Sequence, residues 1–113
     1  MGLKCELNNV LNDVCERMIE IYGDNIEKIL LFGSYARGDY RDESDIDIMV
    51  LVKCGEDEIK KLRDDFISAG SDLGLEYDIY ISIMVFNLDY FNYWKDVMPL
   101  FRNVVKEWIG IYG

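Results

Sequence analysis

The run Ile29-Leu30-Leu31-Phe32, halted by Gly33-Ser34, constrains this chain more than any other feature. Four consecutive apolar residues leave no polar face to turn toward water. Short and bounded by glycine, the run reads as part of a buried strand over Ile26 to Phe32. A sheet built on such a strand needs helices to cover it.

The flanking segments supply those helices. Leu7, Val10, Leu11, Val14, Met18, Ile21 and Tyr22 recur at helical spacing, and Gly23 is a natural left-handed stop. Gly33 to Ser44 is rich in Gly, Ser, Arg and Asp and reads as a loop or short helical turn. Asp45 to Val52 reads as a second strand with Ile46, Ile48 and Val50 on one face. Ile59, Leu62, Phe66, Ala69 and Leu73 mark an amphipathic helix, with Gly70 and Gly74 framing its end. Leu75 to Val85, rich in Ile and Tyr, reads as a third strand. Asn87 is placed to cap a short helix over Leu88 to Trp94. Val97, Leu100, Phe101, Val104, Val105, Trp108 and Tyr112 form a last helical stripe, with Pro99 in its first turn. No repeat or linker interrupts the 113 residues, so residues 1–113 form a single domain. The expected fold class is α+β, a small mixed sheet flanked by helices, with the strand order left open.

Composition narrows the chemistry. Half of the residues are hydrophobic, enough for a core without disulfides or metals. The 12 Lys and Arg against 22 Asp and Glu give a formal charge of −10. Such a chain repels a phosphate backbone, so long nucleic acid is a poor partner. There is no His, which removes imidazole bases and His-based triads and leaves oxygens, or as a second choice thiols, as ligands for any metal. Cys5, Cys15 and Cys54 have no paired spacing, and Met1 to Glu6 do not resemble a secretory signal. The thiols therefore read as reduced and the chain as cytoplasmic. No apolar run reaches membrane-spanning length. The aromatics Phe86, Tyr90, Phe91, Tyr93, Trp94, Phe101, Trp108 and Tyr112 crowd the last third of the chain. They fill the core or form a partner surface, and the pattern leaves both open.

Chemistry concentrates between Gly33 and Asp47. On a strand, Asp45 and Asp47 project from one face, roughly 6.6–6.8 Å apart along the chain. Paired carboxylates repel unless a cation sits between them, and Mg²⁺ takes one or two carboxylates plus substrate phosphates. Asp-x-Asp alone is better read as the polar face of a solvated edge strand. The upstream loop changes the balance. Gly33 permits a tight turn and close approach to phosphate, Ser34 and backbone N–H groups can face an anion, and Arg37 can add a planar charged contact. Arg37 can also pair with Asp39 or Asp42. Asp39, Asp42 and Glu43 otherwise read as solvated loop charges. A phosphate cradle beside a metal ligand pair is the minimum for phosphoryl transfer.

Gly33-Ser34, ten residues, then Asp45-x-Asp47 resembles the signature of the polymerase-β-like nucleotidyltransferases. The fuller Gly33-Ser34-Tyr35-Ala36-Arg37-Gly38 with Ser44-Asp45-Ile46-Asp47 resembles the small MNT group, the minimal nucleotidyltransferases. The resemblance implies the nucleotidyltransferase fold, two Mg²⁺ ions and a nucleoside triphosphate donor such as ATP. It assigns Gly33, Ser34 and Arg37 to nucleotide binding and Asp45 and Asp47 to the metals. It also implies a third carboxylate on a later strand, for which Asp78 is the candidate and Glu76 the fallback. An acceptor hydroxyl then attacks the α-phosphorus and pyrophosphate leaves.

Proteins of that group often act beside a HEPN-domain partner as antitoxins and transfer AMP to a tyrosine of the toxin. The resemblance thus implies a protein adenylyltransferase with a HEPN-type partner. Two other readings stay open. One is a small-molecule transferase of the aminoglycoside type, which needs an acceptor pocket, its own or one shared across a homo-oligomer. The other is a non-catalytic nucleotide-binding module.

Overall fold

The computed structural model describes residues 3–41 and 44–113, with side chains from residue 7 onward, so the side chain of Cys5 and the residues Asp42 and Glu43 lie outside it. The elements run α1 (Leu3–Tyr22), a 3₁₀ turn, β1 (Ile26–Phe32), α2 (Ser34–Arg37), β2 (Ile46–Val52), α3 (Glu56–Lys61), α4 (Arg63–Tyr77), β3 (Ile81–Asn87), α5 (Leu88–Trp94), α6 (Pro99–Glu107) and β4 (Ile109–Tyr112). The four strands form one mixed sheet in the order β3-β2-β1-β4. β1 lies antiparallel to β2 and β4, and β2 lies parallel to β3. The parallel pair requires a crossover, which α3 and α4 provide.

Both faces of the sheet are covered, which explains the unbroken apolar sequence of β1. Ile29, Leu31, Ile46, Ile48 and Val50 pack with Val14 and Met18 of α1 and Phe66, Ala69 and Leu73 of α4. Leu30, Phe32, Met49 and Leu51 point the other way, onto Phe91 of α5 and Phe101 and Val104 of α6. Phe101 is fully buried, with its ring edge-on to Phe86 at 4.9 Å between centroids. Asn87 caps α5 through its side-chain oxygen, which accepts from Tyr90 N–H at 3.0 Å. Pro99 opens α6. No described helix is long and apolar enough to cross a membrane.

Three expectations need correction. The amphipathic segment is two helices, broken at Leu62. The second runs through Gly70 and Gly74 to Tyr77, so Leu75, Glu76 and Tyr77 are helical and the third strand begins only at Ile81. Gly74 is there for proximity rather than as a stop: a Cβ on it would lie 2.8 Å from the Ile79 carbonyl oxygen. Finally, the last stripe is not one helix. α6 ends at Glu107, and Ile109–Tyr112 pairs with β1. The i, i+4 spacing of Val104, Trp108 and Tyr112 matches a helix by coincidence of a helix end and a strand.

Candidate active site

The antiparallel register sets Phe32, the last residue of β1, opposite Asp47. The chain then turns at Gly33, whose φ of 76° and ψ of −155° suit only glycine. There is a second reason for glycine. An ideal Cβ on Gly33 would sit on the Asp47 carboxylate, so the side chain missing from Gly33 is the space that Asp47 fills. The single helical turn α2 follows. Gly33 C=O accepts from Ala36 and Arg37 N–H, and Ser34 C=O accepts from Gly38 and Asp39 N–H. Gly38, at φ 87°, closes the turn in the left-handed region. Tyr35 is buried under the turn and stacks on Tyr40 at 4.4 Å between centroids. Farther on, Arg41 N–H donates to Ser44 Oγ and Ser44 N–H to the Arg41 carbonyl, which leads the chain into β2.

A depression of about 470 Å³ opens here, lined by Phe32, Gly33, Ser34, Arg37, Asp47, Leu100, Asn103 and Glu107. It thus gathers Gly33, Ser34, Arg37 and Asp47 from the sequence expectation. Asp45 is exposed, one residue before β2, and does not line the depression, but its charge reaches Asp47. The Asp47 carboxyl is held above the usual carboxylate range, first by its partial burial and then by the negative charges of Asp45 and Glu107. Arg37 acts in the opposite direction.

Arg37 is spoken for on both sides. Its Nε donates to Asp39 Oδ2 at 3.2 Å, and its Nη1 to Glu107 at 3.1 and 3.2 Å. Asp39 is therefore an ion-pair partner rather than a free loop charge. Glu107 was not visible as a site residue in the sequence. It comes at the end of α6, seventy residues from Arg37, and its Oε2 also accepts the Gly33 N–H at 2.6 Å. A single Glu at the end of an amphipathic stripe carries no motif, so only the packing of α6 on the sheet could reveal it.

The structure does not bring Asp78 into this depression. Asp78 is the left-handed residue that ends α4, at φ 55° and ψ 47°, and it lines a separate groove between α4 and the start of β3. The parallel register sets Ser82 beside Asp47, and the Tyr80 carbonyl accepts from Ile46 N–H. Asp78 thus falls short of the Asp47 rung. Glu76 is exposed on α4. No group of three or more His, Cys, Asp or Glu among the described residues is arranged to hold a metal ion. The donor set nonetheless suits a hard cation. Asp45 and Asp47 supply carboxylate oxygens, their negative charge is only partly offset by Arg37, and substrate phosphates would complete the coordination.

The nucleotidyltransferase domain family model matches residues 8–106. The chain belongs to that family. Two relatives from Methanocaldococcus jannaschii, both provisionally named protein adenylyltransferases, are 37% and 38% identical to it. The first alignment covers 72% of this chain and 80% of the relative, the second 80% and 83%. Among solved structures, a provisionally named minimal nucleotidyltransferase superposes with a TM-score of 0.63 at 22% identity, over 96% of this chain and 95% of the other. A chain of a toxin–antitoxin complex with AMP-PNP gives 0.58 at 20% identity, over 91% and 73%. A chain from the complex of tri-AMPylated Shewanella oneidensis HEPN toxin with MNT antitoxin gives 0.55 at 16% identity, over 94% and 71%. At those identities the structural likeness speaks for the fold, which is the mixed sheet flanked by helices expected for nucleotidyltransferases. This nucleotidyltransferase is an enzyme, and its fold is the one its solved neighbours share.

Proposed function

We propose that this nucleotidyltransferase moves AMP from ATP to a hydroxyl on a partner protein, and that the partner is of the HEPN type. The observation that carries the reading is the interlock of Gly33 with Asp47, which fixes the phosphate loop against the carboxylate strand. The names of the Methanocaldococcus relatives favour a protein as acceptor, and the fold neighbours from toxin–antitoxin complexes favour a HEPN-type partner.

Asp45 and Asp47 would hold the divalent cation, Mg²⁺ by their hard oxygen donors. When bound, the cation offsets the charge of the triphosphate and of the reacting oxygens. The chain's own contributions are positional. Ser34 and the N–H groups of its turn hold the outer phosphates of the donor. Arg37, once a phosphate oxygen reaches it, keeps one guanidinium edge on Asp39 and turns the other to the donor. Asp47, sitting in a half-buried place crowded by Asp45 and Glu107, is well disposed to a cation because ionisation there is otherwise resisted. Asp78, in the separate groove at the start of β3, takes part only if an acceptor approaches from that side. The site is expected to work in the cytoplasm on a nucleoside triphosphate.

The test is incubation of the purified protein with labelled ATP and Mg²⁺, with and without the protein encoded beside it, against the double variant Asp45→Asn/Asp47→Asn. Label on the partner, lost in the variant, is the expected result. ATP binding with no labelled protein would move the acceptor to a small molecule. No ATP binding would leave a non-catalytic module.

A further inference from the structure

Glu107 stands where an anion ought not to be. It is the last residue of α6, where the helix dipole disfavours negative charge. It also lies close enough to Asp47 to resist that residue's ionisation. Yet the side chain is only 17% exposed, and its carboxylate is held firmly. Oε2 accepts from Gly33 N–H at 2.6 Å and from Arg37 Nη1 at 3.1 Å, while Oε1 takes the same Nη1 at 3.2 Å. A backbone N–H at the head of the loop and a guanidinium are the contacts a phosphate oxygen would make. A carboxylate and a phosphate cannot both have them.

We propose that Glu107 is an internal occupant of the phosphate seat, holding Gly33 N–H and Arg37 in the unliganded protein and yielding them to a phosphate of the incoming nucleotide. This rests on the nucleotide reading of the Gly33 loop. Several features agree with a stand-in rather than a fixed strut. The contact crosses from α6 to the loop without any covalent neighbour between them, and Asn103, one turn earlier on α6, lines the same depression. The Asp39 contact would keep Arg37 oriented after Glu107 leaves. Displacement also removes one negative charge from the neighbourhood of Asp47 and the donor phosphates.

The test compares wild type with Glu107→Gln, which preserves size and an oxygen for Gly33 N–H but drops the charge, and with Glu107→Asp, which is too short to span the gap. Inorganic triphosphate and ATP are titrated by calorimetry, and the Gly33 amide is followed by ¹⁵N spectroscopy on the same folded samples. The expected result is binding of both ligands roughly tenfold tighter in either variant, the size of one charge-assisted contact no longer competed for. The Gly33 resonance should move on substitution without ligand, and in wild type on saturation with triphosphate. Equal or weaker binding by either variant, with wild-type binding intact, would overturn the inference and make Glu107 an organiser of the loop. Absence of binding in all three proteins, with the Gly33 resonance still sensitive to Glu107→Gln, would reject the nucleotide reading itself and the inference with it.

Discussion

Asp47 shows how one residue can serve a site at the expense of the fold. Its native carboxyl is held above the ordinary range, chiefly by burial, then by Asp45 and Glu107. The folded state therefore binds that proton more tightly than the unfolded chain. Stability from this source is complete below the ordinary carboxylate range and lost as pH rises through the raised native value. Asp47→Asn is accordingly expected to raise the melting temperature of the metal-free protein at pH 7, with the gain vanishing toward pH 3–4, the ordinary Asp range. Adding Mg²⁺ with ATP should stabilise wild type and not the variant. Thermal scans across pH check both statements. A wild type that melts higher than Asp47→Asn at pH 7 without ligand would contradict the charge balance read here. Asp78 offers the contrasting case. Asn tolerates the left-handed conformation that Asp78 adopts, so Asp78→Asn changes charge with little strain. Its position away from the Asp47 rung predicts transfer reduced less than tenfold, against a loss of a hundredfold or more for Asp45→Asn, as is typical when charge stabilisation is removed. Comparable losses would restore Asp78 as the third carboxylate.

At the scale of elements, close backbone packing decides more than propensity. Ala in a helix interior is favoured over Gly by about 1 kcal/mol, so Gly74→Ala would stabilise α4 in isolation. The added Cβ would, however, press on the Ile79 carbonyl at 2.8 Å, and overpacking of that kind costs about 1–3 kcal/mol. Urea unfolding should show Gly74→Ala destabilised by about 1 kcal/mol net. The same glycine explains where the sequence misleads. Gly74 looks like a helix stop, and the β-rich composition after it looks like a strand, so the boundary falls six residues early. β1, by contrast, is legible because a continuous apolar run ending on Gly-Ser has few alternatives, and the Asn87 cap because it is local. β4 is not legible: its partner β1 lies some eighty residues upstream, and its exposed edge leaves no buried alternation to read. The site divides along the same line. Gly33, Ser34, Arg37 and Asp47 sit on neighbouring segments, so the sequence itself brings them close enough to line one depression. Glu107 arrives through tertiary packing alone.

Across the whole molecule, the late aromatics divide between buried and exposed positions. Phe91 and Phe101 are core, while Tyr93 is 76% exposed and Tyr90, Trp94, Trp108 and Tyr112 are substantially open. Charge is less evenly shared. A formal −10 on 113 residues favours expansion through self-repulsion, and among the described residues few acidic groups have cationic partners close by. Salt shortens the reach of that repulsion to about 10 Å at 0.1 M. The melting temperature at neutral pH is therefore expected to climb as NaCl rises from about 0.02 to about 0.2 M, a result that calorimetry can reverse by showing a fall.

The shared volume of Gly33 and Asp47 has a consequence for inheritance. A mutation giving Gly33 any side chain evicts the carboxylate, and one enlarging residue 47 collides with the turn. The two halves of the site cannot drift apart through single tolerated changes. A change of either residue would therefore have to be matched by a change of the other, so the turn after β1 and the first rungs of β2 are expected to vary together or not at all.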